Sequence, residues 1–352
     1  MPEPETYKKL ANHLDNLPGG FPATESGVEI RILQRLFSSK EARIATALTM
    51  LPEPAETIAE RLTMDVDELR PMLDRMSRKG LIFRITKAQP LFMAAQFVIG
   101  IWEYHVNDLD PGLIKDFNEY VPYLTRAWAQ QKTKQLRVVP VSKSLSPDTS
   151  IMPYDDAAQI IRSHSKIVVS PCICRKEHRV AGAGCDNPLE VCLSFGSGAY
   201  YYEENGLGRG ISQEEALEVL QQGIEAGLVL QPGNSQKAMN ICMCCGCCCQ
   251  VLKNLKALPE PAKAVNSSYY AVVDEELCIG CGTCEERCHM DAVTLNDVAH
   301  IDLNRCIGCG VCAPTCDLEA LKLVAKPAEE QWVPPKSVFD TYFKIARERG
   351  LV

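Results

Sequence analysis

The residues of this 352-residue chain best equipped for chemistry are its 18 cysteines, and they are gathered: none precedes Cys172 and none follows Cys316. Two stretches share one spacing. "CIGCGTCEERC" supplies Cys278, Cys281, Cys284 and Cys288; "CIGCGVCAPTC" supplies Cys306, Cys309, Cys312 and Cys316. Both read C-x2-C-x2-C-x3-C. Three thiolates two residues apart on a tight loop can cap three irons of one cubane. Gly280, Gly282, Gly308 and Gly310 let that loop take positive φ and turn its amides toward the cluster sulfides. Zinc also takes four thiolates, but it has no use for a third C-x2-C step. The spacing therefore points to two iron–sulfur clusters.

The other ten cysteines are Cys172, Cys174, Cys185 and Cys192, followed by Cys242, Cys244, Cys245, Cys247, Cys248 and Cys249 in the run "CMCCGCCC". Ten thiolates suit two cubanes with two left over, or one unusual cluster plus another metal. Neighbouring residues of an extended segment point to opposite sides. The run is thus expected to form a wall shared by two cofactors, with Gly246 as the turn and Cys172, Cys174, Cys185 and Cys192 on the opposite side. The expectation is at least one further [4Fe-4S] cluster here, with two preferred. The rivals are a four-thiolate zinc site on the first four cysteines, a non-cubane cluster, and surplus thiols acting as a redox relay or persulfide site. "CCG" resembles a fragment of the cysteine-rich repeat of heterodisulfide reductase, without that repeat's second cysteine pair.

The elements that must position these thiols can be read from pattern. "IVVS" is a buried strand leading directly into "PCICR". "SQEEALEVLQQGIEAG" is a helix with Ser212 and Glu215 in capping-box spacing, ending at Gly227. "QVLKNLKAL" is a short helix after the cysteine run. "GLGRG" (206–210) and "FGSG" (195–198) read as loops and helix starts. The cysteine motifs sit in a duplicated strand-loop-helix-strand unit, since Val273 and Asp274 match Ile301 and Asp302, and Ala292, Val293 and Leu295 match Ala320, Leu321 and Leu323. Residues 25 to 95 show the amphipathic "ESGVEIRILQRLFSS", the further helical segments "KEARIATALTML", "PAETIAERL" and "VDELRPMLDRMSRKG", and a hairpin, and "KSVFDTYFKIARERG" is a C-terminal helix with Val338, Phe339, Tyr342 and Phe343 on its apolar side.

Three resemblances follow. Residues 268 to 325 resemble the bacterial two-[4Fe-4S] ferredoxin domain. That resemblance implies crossed ligation, with Cys278, Cys281, Cys284 and Cys316 on one cluster and Cys306, Cys309, Cys312 and Cys288 on the other. It departs from the family where proline usually follows the fourth cysteine: His289 and Asp317 stand there. His289 is expected either beside a cluster or, preferably, facing solvent. The run "AERLTMDVDELRPMLDRMSRKGLIFR" resembles the MarR and ArsR winged-helix regulators. The combination of "PCICR", Cys185, Cys192, "GLVL" and "CCGCCC" ahead of a ferredoxin unit resembles a family of 4Fe-4S binding proteins of anaerobic bacteria and archaea, which implies multi-cluster electron transfer and no particular substrate.

The resulting fold class is α+β and multidomain. A winged-helix-like, helical docking domain is expected over residues 1–134 and a cysteine-rich α/β cluster-binding domain over 135–262. A ferredoxin-like two-[4Fe-4S] domain follows over 263–326, then a C-terminal linker and helix over 327–352.

Function is narrowed by what is missing. A formal net charge of -8 gives no general attraction for polyphosphate or anionic lipid. Residues 26 to 90 carry eleven Lys/Arg against nine Asp/Glu, a balance of +2. Asp65, Asp67 and Glu68 would face phosphate in a DNA-reading helix, and Pro71 would weaken that helix, so nucleic acid is not the expected partner. "LFMAAQFVIGIW" is too short to span a bilayer, and the N-terminus lacks a signal-peptide pattern, so a cytoplasmic protein is expected, with its thiols reduced. No P-loop and no G-x-G-x-x-G follows a strand, so neither flavin nor NAD is expected. His178 reads as a surface residue, with a ligand or proton-donor role as the alternative. The chain reads as an electron-transfer subunit of an oxidoreductase complex in anaerobic metabolism, passing low-potential electrons to or from partner proteins, and not as a stand-alone enzyme. The alternatives are a redox- or iron–sulfur-sensing transcription regulator, and a reductase with a catalytic middle-domain cluster.

Overall fold

The computed structural model describes residues 3–352, with side chains from residue 5 onward. The N-terminal part contains α1 (Glu3–Asp15), α2 (Val28–Leu36), α3 (Ser39–Ala45), β1 (Glu53–Pro54), α4 (Ala55–Leu62), α5 (Val66–Arg78), β2 (Phe83–Ile85), β3 (Leu91–Met93), α6 (Trp102–Tyr104) and α7 (Pro111–Gln130). Local sequence sets these boundaries. Ser38 and Glu41 close a capping box on α3. Asp65 accepts the Asp67 and Glu68 amides at the start of α5, and Asp110 caps α7 just before Pro111. Pro71 lies inside α5, which continues through it. β1, β3 and β2 pair in that order as one antiparallel sheet.

The middle part is a five-stranded antiparallel sheet in the order β6-β4-β5-β8-β7, from β4 (Ile167–Pro171), β5 (Glu190–Phe195), β6 (Arg209–Ile211), β7 (Val229–Pro232) and β8 (Asn240–Cys244). It carries α8 (Ala157–Arg162), α9 (Ile173–Val180), α10 (Gly196–Glu204), α11 (Gln213–Glu225) and α12 (Gln250–Lys256). The "GLGRG" stretch is corrected here: Arg209–Ile211 pairs with β4 as an edge strand and does not start a helix.

The ferredoxin-like part has β9 (Tyr269–Val273), α13 (Thr283–Arg287), β10 (Val293–Leu295), β11 (Ala299–Ile301) and β12 (Leu321–Ala325). β9 pairs with β12 and β10 with β11, both antiparallel. The first strand of one repeat copy thus pairs with the last strand of the other. That exchange carries the end of each cysteine motif to the start of its twin.

These parts do not fold apart. Ile173, Tyr201 and Leu207 are buried in the N-terminal core, and Met290, Ala292, Ile307 and Val311 of the ferredoxin-like part are buried in the core of the middle sheet. Phe83 of β2 stacks on Tyr201 of α10 with ring centroids 4.7 Å apart. The C-terminal helix α14 (Val338–Glu348) lies against its own chain. Thr341 Oγ1 donates to the Asn234 carbonyl at 2.6 Å, Glu348 accepts from Thr133, and Arg349 pairs with Asp15 at 3.2 Å. Among the described residues no helix is long and apolar enough to cross a membrane.

Candidate metal centres

The eight cysteines of the two repeated motifs surround two cavities. Cys278, Cys281, Cys284 and Cys316 line one of about 160 Å³. Cys288, Cys306, Cys309 and Cys312 line the other, of about 20 Å³. Gly280, Gly282, Gly308 and Gly310 all have positive φ, between 66° and 81°. A Cβ on Gly308 would stand 2.1 Å from the Tyr269 carbonyl oxygen, so that turn admits nothing larger than glycine. Backbone amides point at the sulfurs: Ala299 N–H donates to Cys278 Sγ at 3.4 Å, Ala271 N–H to Cys306 Sγ at 3.4 Å and Ala292 N–H to Cys288 Sγ at 3.3 Å. Such bonds favour thiolates and offset a cluster's negative charge. The two cavities differ in depth. Cys281 is exposed, while burial pushes the Cys309 thiol up to about 12 and Cys306 and Cys312 upward too.

The ten remaining cysteines divide into six and four. Cys172 and Cys174 follow β4, Cys192 lies on β5, Cys242 and Cys244 share one face of β8, and Cys249 caps α12. Their thiols are neighbours in a closed ring. Cys172 meets Cys174 and Cys192, Cys242 meets Cys192 and Cys244, and Cys249 meets Cys174 and Cys244. Register explains one edge: Leu193 pairs with Ile241 across β5 and β8, so Cys192 faces Cys242 one step on. Hydrogen bonds from Cys174 and Cys192 hold the Cys172 thiol well below the usual range, and those from Cys192 and Cys244 do the same for Cys242. Having given those bonds, Cys174, Cys192 and Cys244 are pushed upward.

The other group is compact. The sulfurs of Cys185, Cys245, Cys247 and Cys248 all lie within 4.8 Å of one another. Cys248 Sγ is 3.5 Å from Cys185 Sγ, and Cys245 Sγ is 4.0 Å from it. Burial opposes ionisation of Cys185, but bonds from Asn187, Cys248 and Cys247 outweigh it and bring the thiol to about 6; burial pushes Cys247 up to about 11. The thiols of the six-cysteine run fall into two groups, with Cys242, Cys244 and Cys249 in one and Cys245, Cys247 and Cys248 in the other. The first four cysteines do not form one zinc site, because Cys185 leaves Cys172, Cys174 and Cys192 for the second group.

Sequence reasoning missed the side chains between these groups. Arg175 is wholly buried; its guanidinium donates to the Pro188 and Met243 carbonyls at 2.8 Å each, and it feels the charge of Cys172, Cys245 and Cys244. It is the cation that balances both thiol groups, and its place in "PCICR", directly after a buried strand, was the available signal. Asn187 Nδ2 donates to Cys185 Sγ at 3.4 Å and Asn240 Nδ2 to Cys242 Sγ at 3.7 Å. Nothing in the sequence marked these two. Glu177 is buried, accepts from Asn118 and Gln250, and is pushed by burial to about 7.

The two histidines resolve differently. His178 places Nδ1 2.8 Å from the Cys174 carbonyl and Nε2 3.2 Å from Lys253 Nζ, so neither nitrogen is directed at the thiols. His289 does not face solvent. Its Nε2 lies 2.7 Å from the Gly227 carbonyl oxygen and its Nδ1 accepts from Gly246 N–H at 3.3 Å. That is the neutral, Nε2–H form, and burial lowers its affinity for a second proton. One residue thus joins Cys288 of the inner ferredoxin cavity to the turn between Cys245 and Cys247.

A family model of the 4Fe-4S binding domain matches residues 271–294 and 299–322. The match covers both halves of the duplicated unit and assigns this segment to iron–sulfur binding. Searches among curated proteins and among solved structures returned no match.

Proposed function

We propose that the chain is an iron–sulfur electron-transfer protein in which the outer ferredoxin site meets a redox partner and the middle-domain thiols hold the inward end of the path. The observation that carries this reading is the continuous arrangement from the exposed Cys281, through the buried inner cavity, across His289 to the two thiol groups. The two ferredoxin sites are assigned by crossed ligation: Cys278, Cys281, Cys284 and Cys316 would hold one [4Fe-4S] cluster, and Cys288, Cys306, Cys309 and Cys312 the other. When bound, such clusters supply one-electron transfer. The chain's own residues hold the thiolates, aim amides at them and exclude water from the inner site. The six-thiol ring would take a polynuclear cofactor, with Arg175 balancing its charge.

Partner chemistry is suggested by the outer rim. Ile279 is 73% exposed, Leu277 and Leu318 flank it, and Asp274, Glu275, Glu276, Glu285, Glu286, Asp317 and Glu319 are exposed around it. An apolar centre ringed by carboxylates suits a basic protein surface. The N-terminal order α3-β1-α4-α5-β2-β3 reads as a winged helix used for docking, since its hairpin packs on α10 of the same chain and Asp65 is spent on capping α5.

A second reading, a reductase acting at the six-thiol ring, is favoured by one observation. A cavity of about 180 Å³ is lined by Tyr104, Tyr202, Tyr342, Ser194 and Asn240. Asn240 also touches Cys242, and Ser194 and Asn240 pair across the strands that bear Cys192 and Cys242. Anaerobic iron and sulfide analysis with EPR of the reduced protein tests the main reading. About eight irons per chain would leave the middle domain without an iron–sulfur cofactor, and distinctly more would place one there.

A further inference from the structure

We propose that Cys185, Cys245, Cys247 and Cys248 hold a single metal ion in a tetrahedral four-thiolate site, without inorganic sulfide. The argument is one of spacing. Around one zinc or iron ion with metal–sulfur bonds of about 2.3 Å, a tetrahedron places its sulfurs about 3.8 Å apart. The Cys248–Cys185 and Cys245–Cys185 separations of 3.5 Å and 4.0 Å bracket that value, and all four sulfurs lie within 4.8 Å of one another. A cubane binds each thiolate through a different iron, so its four sulfurs are spread by the body of the cluster. The ferredoxin thiols stand in that way, around cavities; among the described residues the compact set is the four alone.

Chain geometry supports a closed site. Cys245, Gly246, Cys247 and Cys248 form one tight turn, and Cys185 reaches it from the loop between α9 and β5. Cys245 and Cys248 are buried, at 2% and 1% exposure, and Cys247 is exposed, so an ion can enter from one side. Four thiolates and a divalent ion leave two negative charges. Arg175, which feels the charge of Cys245, supplies a positive charge beside them. Asn187 donates to Cys185, the kind of outer partner that fixes a metal-binding thiolate. The ion would tie the Cys185 loop to the turn whose flanks, Cys244 and Cys249, belong to the six-thiol ring. It would also fix Gly246, whose N–H reaches His289. The site therefore lies next to the ring without sharing a ligand with it.

The test uses the full chain purified without oxygen, with zinc, iron and acid-labile sulfide measured for the parent, Cys185→Ser and Cys247→Ser. Each variant should lose about one metal per chain with its sulfide unchanged. Loss of about four irons together with about four sulfides would mean a cubane and would overturn the proposal, as would no loss at all. Should the variants prove insoluble, the parent decides. Either its zinc-edge X-ray absorption shows four sulfurs at about 2.3 Å, or mild oxidation yields the high-spin ferric signal of a lone thiolate-bound iron. The first outcome identifies zinc and the second iron. Absence of both, or a disulfide between Cys185 and Cys248, overturns the site. The comparison reads the metal lost without sulfide between parent and variants, not the total iron of the chain, so a failure here is distinct from a failure of the electron-transfer reading.

Discussion

Eight thiols of the ferredoxin segment stand around two cavities, whereas the other ten neighbour one another in a ring of six and a compact quartet. Both regions are rich in cysteine, and the difference lies in the backbone that presents it. In the ferredoxin segment, glycine turns at positive φ curl each loop around a cavity and aim amides inward. In the middle domain, thiols come from strand faces, helix caps and one sharp turn, and side chains such as Arg175, Asn187 and Asn240 attend to them. Loops of the first kind can be recognised by spacing alone. Sites of the second kind exist only after a sheet has formed.

The largest expected effects separate the two ferredoxin sites. Cys278→Ser and Cys316→Ser should each remove the EPR signal of the same cluster, and Cys288→Ser and Cys306→Ser that of the other, each with loss of up to about four irons. Spectra pairing Cys278 with Cys288 would sink the crossed arrangement. A chain cut near residue 262 should be destabilised, because it strips Met290, Ile307 and Val311 from the middle core.

A smaller effect sits beside the ring. Glu103 accepts from Gly100 N–H at 2.9 Å, and burial raises it from 4.5 to about 8. The unfolded chain ionises above 4.5 while the folded one holds its proton to about 8. The Glu103 contribution is therefore complete below 4.5 and lost as pH rises through that window, by about 4–5 kcal/mol in all. Chemical denaturation across this range should show the decline in the parent and a flatter profile in Glu103→Gln. An unchanged slope would mean that the carboxyl is hydrated.

Smaller still is a contrast within the repeated loops. Gly308→Ala must move the Tyr269 carbonyl and accept φ +69, and should cost about 2 kcal/mol or more. Gly282→Ala meets only Leu295 Cδ2 at 3.6 Å, leaving the φ penalty of about 1 kcal/mol. Equal melting points for the two variants would refute the view that the inner loop is the tighter one. The smallest expected effect is on DNA. A gel shift at moderate salt should show no sequence-specific complex, since the α5 start presents Asp65, Asp67 and Glu68 and salt removes non-specific contacts.

How much was legible follows the same division. The two ferredoxin motifs, their glycines and the helix caps at Ser38, Asp65 and Ser212 are local properties: spacing along ten residues and one backbone torsion are written directly in the chain. So was the split of "CMCCGCCC" to two sides, because a strand alternates and Gly246 turns. Which cysteine joined which set was not legible. Cys185 and Cys192 are seven residues apart, yet one belongs to the quartet and the other to the ring, since Cys192 is carried by β5 against β8 while Cys185 stays in the loop before it. The strand "RGI" at 209–211, the burial of α14 and the turn of His289 toward Gly246 also depended on distant partners. Sequence alone determined that this chain gathers metal-binding thiols and that one segment binds iron–sulfur clusters, because those signals are short-range. Tertiary structure alone decided which thiols meet, how far apart they stand and what charge balances them. Those quantities are set by strand register and by packing between residues up to some 70 positions apart, such as Arg175 and Met243.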